Sequence, residues 1–136
     1  ERPRNMFVAD FIGETNLLAV SVDEINEGRA TCHLGGGQEL TCDAVDGVGV
    51  GSKVHLSVRP ERLVLSDTAA ERASLKATVT ENIFIGTDIT TLLQLDNGLE
   101  ITVRTSNSER GNLRIFDIGS TAFVNMERGA ARLLLD

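Results

Sequence analysis

Thr91-Leu92-Leu93-Gln94-Leu95-Asp96-Asn97-Gly98-Leu99-Glu100-Ile101-Thr102-Val103-Arg104 reads as two alternating segments joined by a turn. Leu99, Ile101 and Val103 alternate with Glu100, Thr102 and Arg104, which is the period of a half-buried strand. Thr91, Leu93 and Leu95 carry the same period ahead of the turn. A connection made of Asn97-Gly98 alone would set Leu95 opposite Glu100 and split the apolar set between faces. A connection of Asp96-Asn97-Gly98 sets Leu95 opposite Leu99 and Leu93 opposite Ile101, and one face stays apolar. The spacing therefore predicts the longer turn, with Gly98 in the left-handed conformation that a side chain resists.

The same test applied earlier in the chain pairs Leu34 with Leu40, Cys32 with Cys42 and Ala30 with Ala44, with Gly35-Gly36-Gly37 in the loop. That register puts both cysteines on the inward face, directly across from one another. Further strands are expected at Leu17 to Val22, Val54 to Val58, Leu75 to Val79, Thr87 to Leu95, Thr121 to Met126 and Arg132 to Leu135. Many short strands between Gly, Asn and Asp clusters predict an all-β small barrel or sandwich. Pro3 to Gly13 is the exception: Phe7, Val8, Phe11 and Ile12 recur at helical spacing and predict a short N-terminal helix. The strands fall into two sets that read as degenerate copies. Phe11-Ile12-Gly13 returns as Phe84-Ile85-Gly86, Gly51-Ser52 as Gly119-Ser120, and Arg62-Leu63-Val64-Leu65 as Arg132-Leu133-Leu134-Leu135. The common offset of about 70 residues is that of a duplicated unit, with Ser66 to Arg72 as a polar linker between the copies.

Composition narrows the function. Twenty acidic residues against 13 basic ones give a formal charge of −7, and the aromatic content of 4% is Phe alone. Nucleic-acid binding draws on positive surface and, for single strands, on aromatic stacking platforms; this chain offers neither, and no nucleic-acid partner is expected. The same acidity disfavours an electrostatic membrane tether. No apolar run is long enough to span a bilayer, and no secretory leader is visible. The opening at Glu1, inside the helical lead-in, reads as a cut boundary.

Several motifs invite chemistry and fail its geometric requirements. Gly47-Val48-Gly49-Val50-Gly51-Ser52-Lys53 has the wrong glycine spacing for a phosphate loop, Ser precedes Lys, and a strand follows where a helix is needed. His33-Leu34-Gly35-Gly36-Gly37 lacks the nucleophile elbow of a hydrolase. Cys32, Cys42, His33 and His55 do not make a zinc site, because strand neighbours Cys32 and His33 point to opposite faces. Asp10 and Glu14 share a helix face without a third ligand, and Asn16 is read as capping or holding the turn after Gly13. No catalytic, cofactor-binding or metal-ligating residue is therefore expected. Arg59-Pro60-Glu61-Arg62 has a structural reading, in which Pro60 ends a strand and the charges lie in an exposed turn. Arg59 and Glu61 are the candidates for a partner contact.

Phe7 to Asn16, FVADFIGETN, and Val58 to Leu65, VRPERLVL, together resemble the C-terminal transport-associated oligonucleotide/oligosaccharide-binding-like (TOBE) domain of the ATP-binding subunit of bacterial ABC importers. The resemblance runs from Pro3 to the C-terminus, looser after Ala73, and is nearest the polyamine (spermidine/putrescine) or ferric-iron branch. It implies two OB-like barrels, with residues 1–16 as a linker helix from a missing ATPase domain, 17–67 as the first unit and 73–136 as the second, strands being open to sharing between them. It also implies a regulatory and dimerisation role without catalysis in this fragment, ATP and Mg being used by the parent ATPase. The partners it implies are a second copy of the subunit, the permease subunits reached through the ATPase domain, and a small effector. The place it implies is cytoplasmic, peripheral to the inner membrane. The alternative reading is a free-standing tandem-barrel protein binding a small oxyanion, as molybdate-binding proteins do; an enzyme ranks last.

Overall fold

Among the described residues, the alternation seen in the sequence is realised as ten antiparallel strands in two five-stranded sheets. A computed structural model describes residues 15–35, 38–68, 74–106, 115–126 and 129–134. The strands are β1 (Asn16–Asn26), β2 (Arg29–Gly35), β3 (Gln38–Asp43), β4 (Lys53–Val58), β5 (Leu63–Ser66), β6 (Ser74–Ile85), β7 (Asp88–Gln94), β8 (Glu100–Ser106), β9 (Thr121–Met126) and β10 (Ala131–Leu134). The predicted N-terminal helix falls on residues 1–14 and lies outside the described residues.

One sheet has the order β10-β4-β1-β2-β3 and the other β5-β9-β6-β7-β8. In each, the edge strands approach one another, β10 against β3 and β5 against β8, so that both sheets curl into small OB-like barrels. Leu18, Val20, Val22, Leu56, Val58, Leu75, Val79, Leu93, Ile101, Val103 and Val124 are buried at the period of the pleat. The buried residues of both barrels join in one hydrophobic cluster. β5 follows the first four strands in the chain yet pairs with β9 in the second sheet, and β10 follows β9 yet pairs with β4 in the first. The two halves thus exchange one strand each.

The copies correspond strand for strand. β1 and β6 both carry a bulge, between Val22 and Glu24 and between Val79 and Glu81. Each bulge is fastened by the same pair of hydrogen bonds. Val22 N–H donates to Ser52 O (2.9 Å) while Gly51 N–H donates to Val22 O (2.7 Å); Val79 N–H donates to Ser120 O (2.9 Å) while Gly119 N–H donates to Val79 O (2.7 Å). By the ladders, Leu18 matches Leu75, Cys32 matches Leu93, Leu40 matches Ile101 and Leu65 matches Leu133. The Gly51-Ser52 and Gly119-Ser120 correspondence holds. Phe84-Ile85-Gly86 instead lies at the β6–β7 turn, matching the β1–β2 turn rather than a segment ahead of β1. The repeat has no uniform offset because the two halves differ in hairpin and loop length.

The β7–β8 hairpin has the predicted register. Leu93 faces Ile101, Leu95 N–H donates to Leu99 O (2.8 Å), Gly98 N–H donates to Leu95 O (2.9 Å), and Gly98 has φ 90°. The β2–β3 hairpin does not: Cys32 faces Leu40, Ala30 faces Cys42 and Gly35 faces Gln38. This register differs by two residues from the expected one, so the apolar face is unchanged and both cysteines remain inward. Alternation cannot separate registers two residues apart. Here a register shift between His33 and Gly35 and a shorter connection decide it, and they bring Arg29 opposite Asp43, where the two side chains form an ion pair.

Candidate partner-contact site

Arg59, Pro60, Glu61 and Arg62 lie where the chain leaves the first sheet for the second. Arg59 is extended (φ −74°, ψ 140°), as a residue before proline is held, and Pro60 opens a single turn of 3₁₀ helix, Pro60–Arg62. Arg62 N–H donates to Arg59 O (3.0 Å), and Leu63 N–H donates to Pro60 O as β5 begins. Pro60 is buried and Leu63 is only 2% exposed, so the turn is anchored by apolar contacts while its charges face out.

The fold brings the two candidate residues together and adds a third. The Glu61 carboxylate lies 3.8 Å from the Arg59 guanidinium and 3.8 Å from that of Arg104 on β8. Side chains exposed at 63% for Arg59, 46% for Glu61 and 32% for Arg104 are well solvated, and each such pair contributes about 0–1 kcal/mol. The cluster is therefore weakly self-satisfied, and its guanidinium groups are accessible to a carboxylate from another chain. Arg104 was visible in the sequence only as an outward residue of the alternating strand; its approach to Glu61 depends on the 3₁₀ turn packing against β8.

Beside this cluster the barrels are stitched by side-chain amides. Thr102 N–H donates to Asn16 Oδ1 (2.7 Å) and Asn16 Nδ2 donates to Thr102 O (2.9 Å), the reciprocal pair that a neighbouring strand would supply. Asn16 is 6% exposed. It bridges β1 to β8, and the turn after Gly13 lies outside the described residues. Lys76 N–H donates to Gln38 Oε1 (2.7 Å) and Gln38 Nε2 donates to Lys76 O (3.0 Å), joining β3 to β6 in the same way. Asn97 Nδ2 donates to Leu34 O (2.7 Å), linking the tips of two hairpins.

The glycine-rich Gly47–Lys53 segment spends donors on itself and on β1. Gly51 N–H goes to Val22 O, Ser52 N–H to Gly49 O (3.0 Å) and Gly49 N–H to Ser52 Oγ (3.0 Å). Cys32 and Cys42 are free and buried, with sulfurs 4.0 Å apart on a diagonal of the ladder. Their S–H···S contact holds Cys42 below the ordinary thiol pKa, while the same contact and burial push Cys32 far above it. His33 faces outward, away from both thiols, and near it stand Asp23 and Glu39, whose approach no sequence spacing signals. Asp10 and Glu14 lie outside the described residues. An open cleft of about 500 Å³ follows the seam between β3 and β10, lined by Asp43, Val45 and Arg132 among others.

The TOBE domain profile matches residues 56–134. The spermidine/putrescine import ATP-binding protein PotA of Roseobacter denitrificans is 48% identical over 98% of this chain, and that of Pseudomonas fluorescens is 43% identical over 100% of it. The chain spans 37% and 36% of the length of those two relatives. Among solved structures, the cytoplasmic molybdate-binding protein ModG, with molybdate bound, superposes with a TM-score of 0.72 at 20% identity, covering 87% of this chain and 94% of that one. That likeness is one of fold. This chain belongs to the TOBE domain family.

Proposed function

We propose that this chain is the regulatory and dimerisation domain of the ATP-binding subunit of an ABC importer for polyamine or a similar solute. The observation that carries the reading is 48% identity, along nearly the whole chain, to a spermidine/putrescine import ATP-binding protein. In this reading, residues 1–16 lead in from the ATPase domain, and 17–67 and 73–136 are OB-like units that trade their last strands. The domain performs no catalysis; the parent subunit binds ATP and Mg. Its partners are a second copy of the subunit, the permease subunits reached through the ATPase domain, and a small effector. Its place is the cytoplasmic side of the inner membrane, and no described helix is long and apolar enough to cross one. Arg59 and Glu61, exposed on an anchored turn, contribute to the contact between copies.

Two measurements test it. Spermidine uptake is compared in cells whose importer ATPase carries or lacks this domain; uptake and ATP hydrolysis that are identical in rate and regulation would sink the regulatory role. Sedimentation equilibrium of the isolated chain is expected to show a monomer–dimer equilibrium of micromolar strength or weaker, since a detached domain retains only part of the parent contact. Glu61→Arg should weaken it further, and an unchanged equilibrium returns the turn to a purely structural role.

The likeness to ModG favours one second reading, a free-standing tandem-barrel protein that binds a small oxyanion. Calorimetric titration with molybdate separates the two: micromolar binding supports the second reading, and heat no greater than dilution supports the first.

A further inference from the structure

We propose that Asp23, His33 and Glu39 form a three-ligand site for a divalent transition-metal ion of the zinc class on the outer face of the first barrel. Their donor atoms, two carboxylate oxygens and an imidazole nitrogen, all lie within 4.8 Å of one another. The three residues come from three adjacent strands. His33 and Glu39 face each other across the β2–β3 ladder. Asp23 is the extra residue of the β1 bulge, which presents its carboxylate to that pair. The backbone positions are therefore fixed by ladder hydrogen bonds before any ion arrives.

The chemistry selects the ion. Tetrahedral zinc places oxygen and nitrogen donors about 2.0–2.2 Å from the metal, and so about 3.4 Å apart. Asp23 and Glu39 are exposed and reach that spacing by side-chain rotation alone. Among the described residues, no Lys or Arg forms an ion pair with either carboxylate, so no protein cation needs to be displaced. Hard ions such as Mg²⁺ and Ca²⁺ take oxygen ligands, so the imidazole contributes nothing to them, whereas imidazole suits Zn²⁺ and Ni²⁺. Water completes the coordination.

The second barrel serves as an internal control. The ladder places Thr80, Gln94 and Glu100 at the matching positions, and that set lacks both the imidazole and one carboxylate. Thr80 Oγ1 instead donates to Leu92 O (3.0 Å). The metal-ligating set is thus particular to one copy of a repeated scaffold, and the ion would cross-link β1, β2 and β3.

Calorimetric titration of the untagged chain with ZnCl₂ tests the site. The expected result is one zinc per chain, bound with a Kd on the order of micromolar for three protein ligands, with Mg²⁺ failing to compete and the His33 imidazole resonances shifting on binding. His33→Gln, which installs the residue of the second barrel, should weaken binding by at least about tenfold; Glu39→Gln should do the same. The Co²⁺ complex should lack thiolate charge-transfer absorption, which separates this site from Cys32 and Cys42. The absence of saturable binding below about 1 mM, unchanged affinity in His33→Gln with a native circular dichroism spectrum, or a thiolate band would each overturn the assignment.

Discussion

The two barrels have the same strand order, the same bulge and the same clasp on it, yet they are finished differently. In the first, the buried cross-strand positions hold Cys32 and Cys42, where the second has Leu93 and Val103. The first closes its β1–β2 hairpin with Glu27 and Gly28, whereas the second prolongs β6 and β7 by two further pairs, Phe84 with Ile89 and Ile85 with Asp88. That extension carries Phe84 and Ile85 into solvent at 61% and 64% exposure. Where the first barrel pairs Ile25 with Ala30, the second pairs Asn82 with Thr91, and Asn82 Nδ2 donates to Phe116 O (2.8 Å) to pin the segment ahead of β9. Hydrogen-bond geometry and inward alternation are what the copies share. Outward residues and turn lengths are free to differ once those are met, and there the copies diverge.

The largest expected effect tests whether the copies bear load equally. Leu18 and Leu75 are equivalent and buried at 1% and 0% exposure. Truncating either to Ala should cost about 2–5 kcal/mol. Because each barrel contains a strand of the other, urea unfolding should stay a single transition in both variants. A biphasic curve in either would show that the barrels unfold separately.

Next come the two amide bridges. Asn16→Ala leaves the part-buried Thr102 N–H without its acceptor and should cost about 1–3 kcal/mol. Gln38→Ala opens a bridge that water can replace, and about 0.5 kcal/mol is expected. Equal losses by denaturant titration would contradict the difference in burial between the two bridges.

Glu27 should give a smaller effect of opposite sign. It has φ 53°, a conformation that Gly86 takes (φ 59°) at the matching turn of the second barrel. Glu27→Gly should stabilise by about 0.5–1 kcal/mol, since a side chain resists that region; a lower thermal midpoint would mean that the Glu27 side chain makes a compensating contact. The smallest change belongs to the ion pairs of the 3₁₀ turn. Glu61→Gln should alter stability by no more than about 0.5 kcal/mol, and a loss above about 1 kcal/mol would promote the Arg59–Glu61–Arg104 cluster to a structural clasp.

The sequence made legible what depends on parity and local turn chemistry. The β7–β8 hairpin could be read through to its left-handed Gly98, because only one loop length kept Leu95, Leu93 and their partners on one face. The β2–β3 register was out of reach, since both candidate registers bury Cys32 and Cys42. Leu63–Ser66 and Ala131–Leu134 are four residues each, too short for any pattern to name their partners, so the exchange of β5 and β10 became visible only in three dimensions. Asn16 was read as a turn residue because polar residues at strand starts usually are; its burial depends on a strand far along the chain. Asp23, His33 and Glu39 converge only through the bulge and the corrected register, and Arg104 meets Glu61 only where the 3₁₀ turn packs against β8.

The exchange of β5 and β10 also sets an order of events at the ribosome. β4 has β1 on one side and needs β10 on the other, and β10 is translated after every strand of the second barrel. The first barrel therefore emerges early but stays open along β4, with unpaired backbone groups between His55 and Val58, until Leu134 clears the exit tunnel. Synthesis rate through the second half then determines how long that edge is available to wrong partners, including the β4 of a neighbouring nascent chain.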